Sequence, residues 1–228
     1  MNKNLLINLL PIKTQESILD RADLTKLTLS NVICIANDST DYVYFPVDGF
    51  ISITQIVDKQ LPIEIGIIGR EGILGSELSL GLTVNPFGAI VQGSGFAWRI
   101  RAKDFLSEMK KSNDLKVIIN RYISARIRML GLSAGCEHFH EIGPRFAKWL
   151  LMSQDRAQSN TFFMTHEFIS LMLGVRRVGV TTTASDFRRR GLIDYRRGEI
   201  KILNRVALED EACSCYKKNC LLFLHPGR

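Results

Sequence analysis

The sequence of 228 residues has no run of eighteen or more uncharged apolar residues, so nothing in it reads as a membrane-spanning helix. At the N-terminus, MNKNLLINLLPIKTQ has too short an apolar stretch before Pro11 for a secretory signal, and a cytoplasmic location without membrane contact is expected. Cysteine is sparse: Cys34, Cys136, Cys213, Cys215 and Cys220 form an odd, unevenly spaced set, poor material for a disulfide framework, so reduced thiols are expected. None of the four histidines, His138, His140, His166 and His225, falls in the glycine-rich stretch described below. No nucleophile sits in a recognisable elbow and no phosphate-cradling lysine motif is present, so the chain does not read as an enzyme. Acidic residues are the minority charge, 23 against 30 Lys and Arg, a net of +7. The 46% of hydrophobic residues is enough to fill real cores in a chain long enough for two domains.

After a short helix expected over residues 14–20 and capped by Thr14, residues from Val32 to Arg101 are rich in β-branched and aromatic types and broken by closely spaced glycines. Strands are expected at Tyr42–Phe45, Phe50–Val57, Ile63–Ile68, Ala89–Gln92 and Phe96–Ile100, with Asp48-Gly49 as a turn; many short strands with tight turns imply a β-roll. Helical signals resume at Ala102. Leu115, Ile118, Tyr122, Ala125, Met129, Leu132 and Cys136 then recur at alternating spacings of three and four, the seam of a coiled coil. A homodimer through a helix at about 114–137 is the reading this favours; a helix packed only on its own domain is the alternative. The domain boundary is placed between a roll-plus-helix unit, 1–137, and a C-terminal unit, 138–228, which opens with a helix over Phe139–Arg156.

The densest signal lies between Met164 and Ile202. Thr165 is a good N-cap for a helix carrying Phe168, Ile169, Met172 and Leu173, and Gly174 ends it. A second helix buries Val180, Ala184 and Phe187 and leaves Arg177, Val178, Thr181, Thr182 and Ser185 on the opposite face. Leu192 and Ile193 begin a strand, Arg197-Gly198 turns, and Ile200 and Ile202 return. This is the pattern of a winged helix-turn-helix. Between residues 160 and 205 there are nine basic residues (Arg176, Arg177, Arg188, Arg189, Arg190, Arg196, Arg197, Lys201, Arg205) against four acids (Glu167, Asp186, Asp194, Glu199), the balance that phosphate neutralisation on double-stranded DNA requires.

The order of parts, α+β with an N-terminal β-roll, a long dimerisation helix and a winged helix-turn-helix, resembles the Crp/Fnr family of bacterial transcription regulators. The marks are Tyr44-Phe45-Pro46 with Gly49-Phe50-Ile51-Ser52, Gly69-Arg70-Glu71-Gly72 with Gly75, Leu173-Gly174-Val175-Arg176-Arg177, and Arg190-Gly191-Leu192-Ile193. The resemblance implies a jelly roll of the cyclic-nucleotide-binding type, an inverted-repeat operator and RNA polymerase as a partner. It places Arg177 at the family's guanine-reading position, with Val178, Thr181 and Thr182 as further base contacts and Thr165, His166, Arg176, Arg188, Arg196 and Arg197 on phosphates. In the cyclic-nucleotide-binding members a glycine-glutamate pair holds the ribose and an arginine-serine pair the phosphate. Here Gly75 and Glu77 are split by Ser76, and Phe87 and Gly88 occupy the arginine-serine positions, so cyclic AMP is not expected and any small-molecule effector is unknown.

No cofactor or metal is expected. The C-x-C-x4-C-x4-H spacing of Cys213, Cys215, Cys220 and His225 suggests zinc, but its first gap is tighter than a structural site usually has, and packed thiols are the reading preferred. Two rivals to a DNA-binding regulator remain: a ligand-binding or scaffolding module whose basic surface meets acidic partners, and an enzyme that uses the roll for regulation. The first is distinguished by salt dependence and sequence preference; the absence of a catalytic segment counts against the second.

Overall fold

The computed structural model describes residues 4–58 and 62–224. It opens with α1 (Leu5–Asn8), capped by the Asn4 side chain, and α2 (Ile12–Leu19). The second helix begins directly after Pro11, two residues before the expected start, because a proline costs little where a helical amide would lack a partner anyway. The roll follows: β1 (Ala22–Leu27), β2 (Val32–Cys34), β3 (Tyr42–Pro46), β4 (Phe50–Gln55), β5 (Ile63–Ile68), a 3-10 turn at Ser76–Leu80, β6 (Gly88–Gly93) and β7 (Gly95–Arg101). Its antiparallel sheets run β1-β7-β3 and β2-β6-β4-β5. Between β3 and β4, Gly49 has φ +72° and its missing Cβ would lie 2.4 Å from the Gly93 carbonyl oxygen, so the expected turn accepts no other residue without strain.

Next come α3 (Ala102–Lys111) and α4 (Asn113–Phe139), the latter capped by Ser112, whose hydroxyl accepts from the Leu115 amide at 3.2 Å. The 3-4 spacing that suggested a dimer seam is present, but its upper half faces inward. Leu115 and Tyr122 are buried in the roll's own core with Ile119, Phe45 and Phe105, Ile118 packs against that core, and Ala125 is buried as well. Cys136 is buried against Cys213 and Cys215 of the same chain, with Leu132 beside them. Of the seven seam residues, Met129 and Leu132 remain half-buried on the far part of the helix. The helix face left to solvent is two positions on: Val117, Asn120, Ser124, Ile127, Gly131, Ala134 and His138 are all exposed and repeat with the same alternation of three and four.

The C-terminal unit comprises α5 (Ile142–Ala157), β8 (Thr161–Phe163), α6 (His166–Leu173), α7 (Arg177–Arg189), β9 (Ile193–Arg196), β10 (Glu199–Ile202), α8 (Arg205–Glu211) and α9 (Cys215–Leu224), with β8-β10-β9 as a small sheet. Its core gathers Phe146, Trp149, Leu150, Ile169, Leu173, Val180, Phe187, Ile193 and Ile200, and takes in Phe50 and Ile67 of the roll. Two polar ties cross the same seam. The Trp149 indole donates to Glu64 Oε1 at 2.9 Å, and Arg156 Nε donates to Glu71 Oε1 at 3.0 Å. Among the described residues no helix is long and apolar enough to cross a membrane.

Candidate nucleic-acid interface

Thr165 caps α6 as its sequence context implied, its hydroxyl accepting from the Phe168 amide at 3.2 Å. Gly174 closes the helix in the left-handed region, φ +62°, and sends the chain into α7. Phe187 stacks on Phe146 of α5, ring centroids 5.7 Å apart, and with Val180 and Ala184 fixes which face of α7 is buried. Arg177, Val178, Thr181, Thr182 and Ser185 are consequently directed to the other face, with Arg177, Val178, Thr181, Thr182 and Ser185 all exposed there. No side chain caps α7 at Arg176, so its first amides point outward beside the two arginines, a favourable end for a phosphate.

The arginines around this face are held by pairs that differ in strength. Arg177 reaches Glu167 at 3.4 Å with both side chains exposed. Arg188 and Arg196 share Asp194, at 3.1 and 3.3 Å. Arg189 and Arg190 pair with Asp186, and Arg190 also with Glu211. Among the described residues no ion pair forms at Arg176 or Arg197. Arg197 and Gly198 form the hairpin turn between β9 and β10 with φ +50° and +85°, which places Arg197 at the tip of the wing.

His166, expected on a phosphate, is half-buried and makes contacts within the protein. Its ring stacks on Tyr195 of the wing, centroids 4.1 Å apart, and its Nδ1 lies 3.0 Å from Thr181 Oγ1. Burial, and then the charge of Arg177, hold its pKa below the ordinary value, which favours the neutral imidazole. Its work is to join α6, α7 and the wing. Thr181 is correspondingly occupied: besides His166, its hydroxyl donates to the Arg177 carbonyl at 3.1 Å.

Residues 144–211 match the sequence profile of the Crp-like helix-turn-helix domain. The whole chain also has the fold of solved Crp/Fnr structures. A Crp/Fnr-family protein of Eubacterium rectale ATCC 33656 aligns at TM-score 0.67 and 21% identity, over 92% of this chain and 98% of that one. The CRP-family regulator TTHB099 of Thermus thermophilus aligns at TM-score 0.69 and 18% identity, over 82% and 96%, and FixK2 of Bradyrhizobium japonicum at 0.68 and 12%, over 85% and 98%. No curated protein sequence matches the chain. The chain thus shares the fold of these structures, and the residues that match the Crp-like profile are the ones that carry α6, α7 and the wing.

The residues expected at the effector site do not assemble a phosphate clamp. Gly75 has φ +93° and precedes the 3-10 turn that carries half-buried Glu77. Phe87 packs against the roll's inner core with Leu27, Ile51 and Val91, and a Cβ on Gly88 would strike Thr54 Oγ1 at 2.7 Å. A cavity of about 260 Å³ does open nearby, between Cys34, Asp38, Thr40, Asp41, Tyr44 and Asn85. Its described lining includes two carboxylates and no Lys or Arg. Sequence reasoning missed this cavity, since its walls come from four separated segments.

The motif Gly69-Arg70-Glu71-Gly72 acquires a physical meaning. A Cβ on Gly69 would lie 2.7 Å from Arg156 Cγ, and one on Gly72 2.6 Å from the Tyr122 hydroxyl. Both glycines clear space for helices, α5 and α4, while Glu71 between them grips Arg156. The loop is the socket through which the roll holds the C-terminal unit.

Proposed function

We propose that the protein is a homodimeric, sequence-specific DNA-binding transcription regulator that acts in the cytoplasm on an inverted-repeat operator. The observation that carries this is the outer face of α7: Arg177, Val178, Thr181, Thr182 and Ser185 are exposed together beside the basic wing, with the helix locked from behind by Phe187. A helix so placed fits the major groove, where the Arg177 fork suits guanine O6 and N7, Val178 a thymine methyl, and Thr182 a base edge or phosphate. Arg176, Arg196 and Arg197 lie where the flanking phosphates would run. RNA polymerase is the partner through which such binding would alter transcription.

The dimer is proposed through the exposed stripe of α4, Val117 to His138, rather than the inward-facing half of the predicted seam. Ser124, Gly131 and Ala134 are small enough to let two helices approach closely, and Ile127 supplies the apolar contact. The effector, if one binds the roll, is neutral or cationic and not a cyclic nucleotide, since the cavity offers carboxylates and the clamp positions offer an aromatic ring and a glycine. Selection of bound sequences from a random duplex library by the purified protein tests the reading. An inverted repeat recovered at physiological salt is expected, and lost by Ile127→Glu; enrichment of no sequence at all would overturn it.

A further inference from the structure

Three of the five cysteines, brought from two segments 77 residues apart, meet at the point where α4 ends. Cys136 lies in the last turn of α4 and His140 is the residue that caps it. Cys213 and Cys215 flank Ser214 between α8 and α9. Cys136 Sγ lies 3.6 Å from Cys213 Sγ, and Cys215 Sγ 3.7 Å from His140 Nδ1. All four donor atoms fall within 4.8 Å of one another. The cysteines are buried and the imidazole half-buried.

We propose that Cys136, His140, Cys213 and Cys215 form a tetrahedral Cys3His site for a single zinc ion, which fastens the C-terminal tail to the end of the long helix. Thiolates about 2.3 Å from zinc stand about 3.8 Å from one another, so the Cys136–Cys213 and Cys215–His140 separations are already close to a tetrahedron's edges, and the other pairs lie within 4.8 Å. The donor set is soft, with nitrogen and sulfur only, which selects zinc over magnesium or calcium. Terminal ligands of a two-iron cluster sit on separate metal atoms and spread wider than these do. Three thiolates around a dication leave one negative charge, and the Lys148 ammonium, 3.3 Å from Cys136 Sγ, offsets it.

This is not the tail set that spacing suggested. Cys220 lies elsewhere, lining a separate cavity with Tyr216, Arg205 and Arg70, and His225 falls outside the described residues. The second pair of ligands comes instead from Cys136 and His140, four residues apart and therefore on one side of a helix end. The position matters, because His140 and Glu141 are the hinge between α4 and α5, and the Cys213 amide donates to Pro144 just beyond it. A metal there would tie the last helices of the DNA-binding unit to the helix that precedes it.

The test uses the full chain, purified reduced and metal-free, with Co²⁺ as the probe. One cobalt per chain is expected, with the visible d–d bands of a tetrahedral site, a near-ultraviolet thiolate charge-transfer band, and displacement by Zn²⁺. Cys136→Ser and Cys213→Ser should lose the tetrahedral spectrum, and His140→Ala should weaken binding by roughly tenfold or more, while Cys34→Ser and Cys220→Ser keep it. Circular dichroism of each variant separates ligand loss from misfolding. In the unmutated protein, Zn²⁺ should slow the reaction of three of the five thiols with a disulfide reagent by roughly tenfold or more. Absence of cobalt uptake by the reduced protein, an octahedral spectrum, a tetrahedral spectrum that survives Cys136→Ser, or recovery only of a Cys136–Cys213 disulfide would each overturn the assignment.

Discussion

Two Arg–Glu pairs, one inside the seam between the roll and the C-terminal unit and one on the surface of that unit, use the same chemistry for opposite ends. Arg156 and Glu71 are 3% and 9% exposed, and Arg156 adds a hydrogen bond to the Met152 carbonyl while Glu71 accepts from the Gly69 amide. Arg177 and Glu167 are 68% and 63% exposed, and their contact is longer. Water competes fully for the outer pair and hardly at all for the inner one, so removing one inner partner strands a buried charge, whereas separating the outer pair costs little. The inner arginine is committed to holding two domains together. The outer one is held only by a contact that water can replace, which suits the base-reading role proposed for it.

The sharpest way to break this contrast is Arg156→Ala. It should cost about 3–5 kcal/mol of unfolding free energy in urea, because Glu71 is left buried and uncompensated; a loss below about 1 kcal/mol would place the pair with the surface ones. Glu64, the other carboxyl in the seam, gives a test in pH. Burial pushes its pKa from 4.5 to about 7, against the Ser52 and Trp149 hydrogen bonds and the charge of Arg156. The folded state therefore holds a proton that the unfolded chain has released, and the associated stability is whole below pH 4.5 and lost as pH rises through about 7. Wild type should lose on the order of 3 kcal/mol more than Glu64→Gln across that window, measured by unfolding at each pH; parallel curves would show that the seam does not feel this proton.

Arg177→Ala should leave unfolding within about 0.5 kcal/mol of wild type and cost about 1–3 kcal/mol on the selected operator, with relaxed choice at one base pair. Arg197→Ala should weaken specific and random duplexes alike and reduce the slope of log affinity against log salt by about one. The smallest effect belongs to Glu167→Gln: stability should shift by less than about 1 kcal/mol, and operator affinity should rise slightly as Arg177 is released. A fall in affinity would mean that Glu167 positions Arg177 for the base instead of holding it in reserve.

Local signals in the chain were legible where local physics decides. Thr165, Gly174 and the Val180, Ala184, Phe187 stripe define two helices and the exposed face by capping and period alone, and the Arg197-Gly198 turn needs the φ values it has. Short strands with mixed faces were not legible: β1, ADLTKL, and β8, TFF, gain their identity from pairing with β7 and β10. The long helix shows why a period is not a partner. Leu115 and Tyr122 repeat as a coiled-coil seam does, yet they lie in one core with Phe45 and Phe105, and Tyr122 meets the loop at Gly72, because the roll offers an apolar surface first. The cysteine site and the Glu64 and Glu71 ties depend on contacts 77 to 85 residues apart, and no spacing rule reaches across that distance.

The stack of His166 on Tyr195, with its bond to Thr181, has a consequence for how the binding preference of such a protein can change. These contacts join α6, α7 and the wing into one frame, so in the proposed complex the distance from the bases under the helix to the phosphates under the wing would be set by residues that need not touch a base. Val178 and Thr182 stand outside that frame, exposed on the same helix. On the proposed function, substitutions there should alter which letters are favoured while the length and phasing of the site stay as they were, so a lineage could exchange one set of target genes for another a single base pair at a time while keeping its grip on DNA.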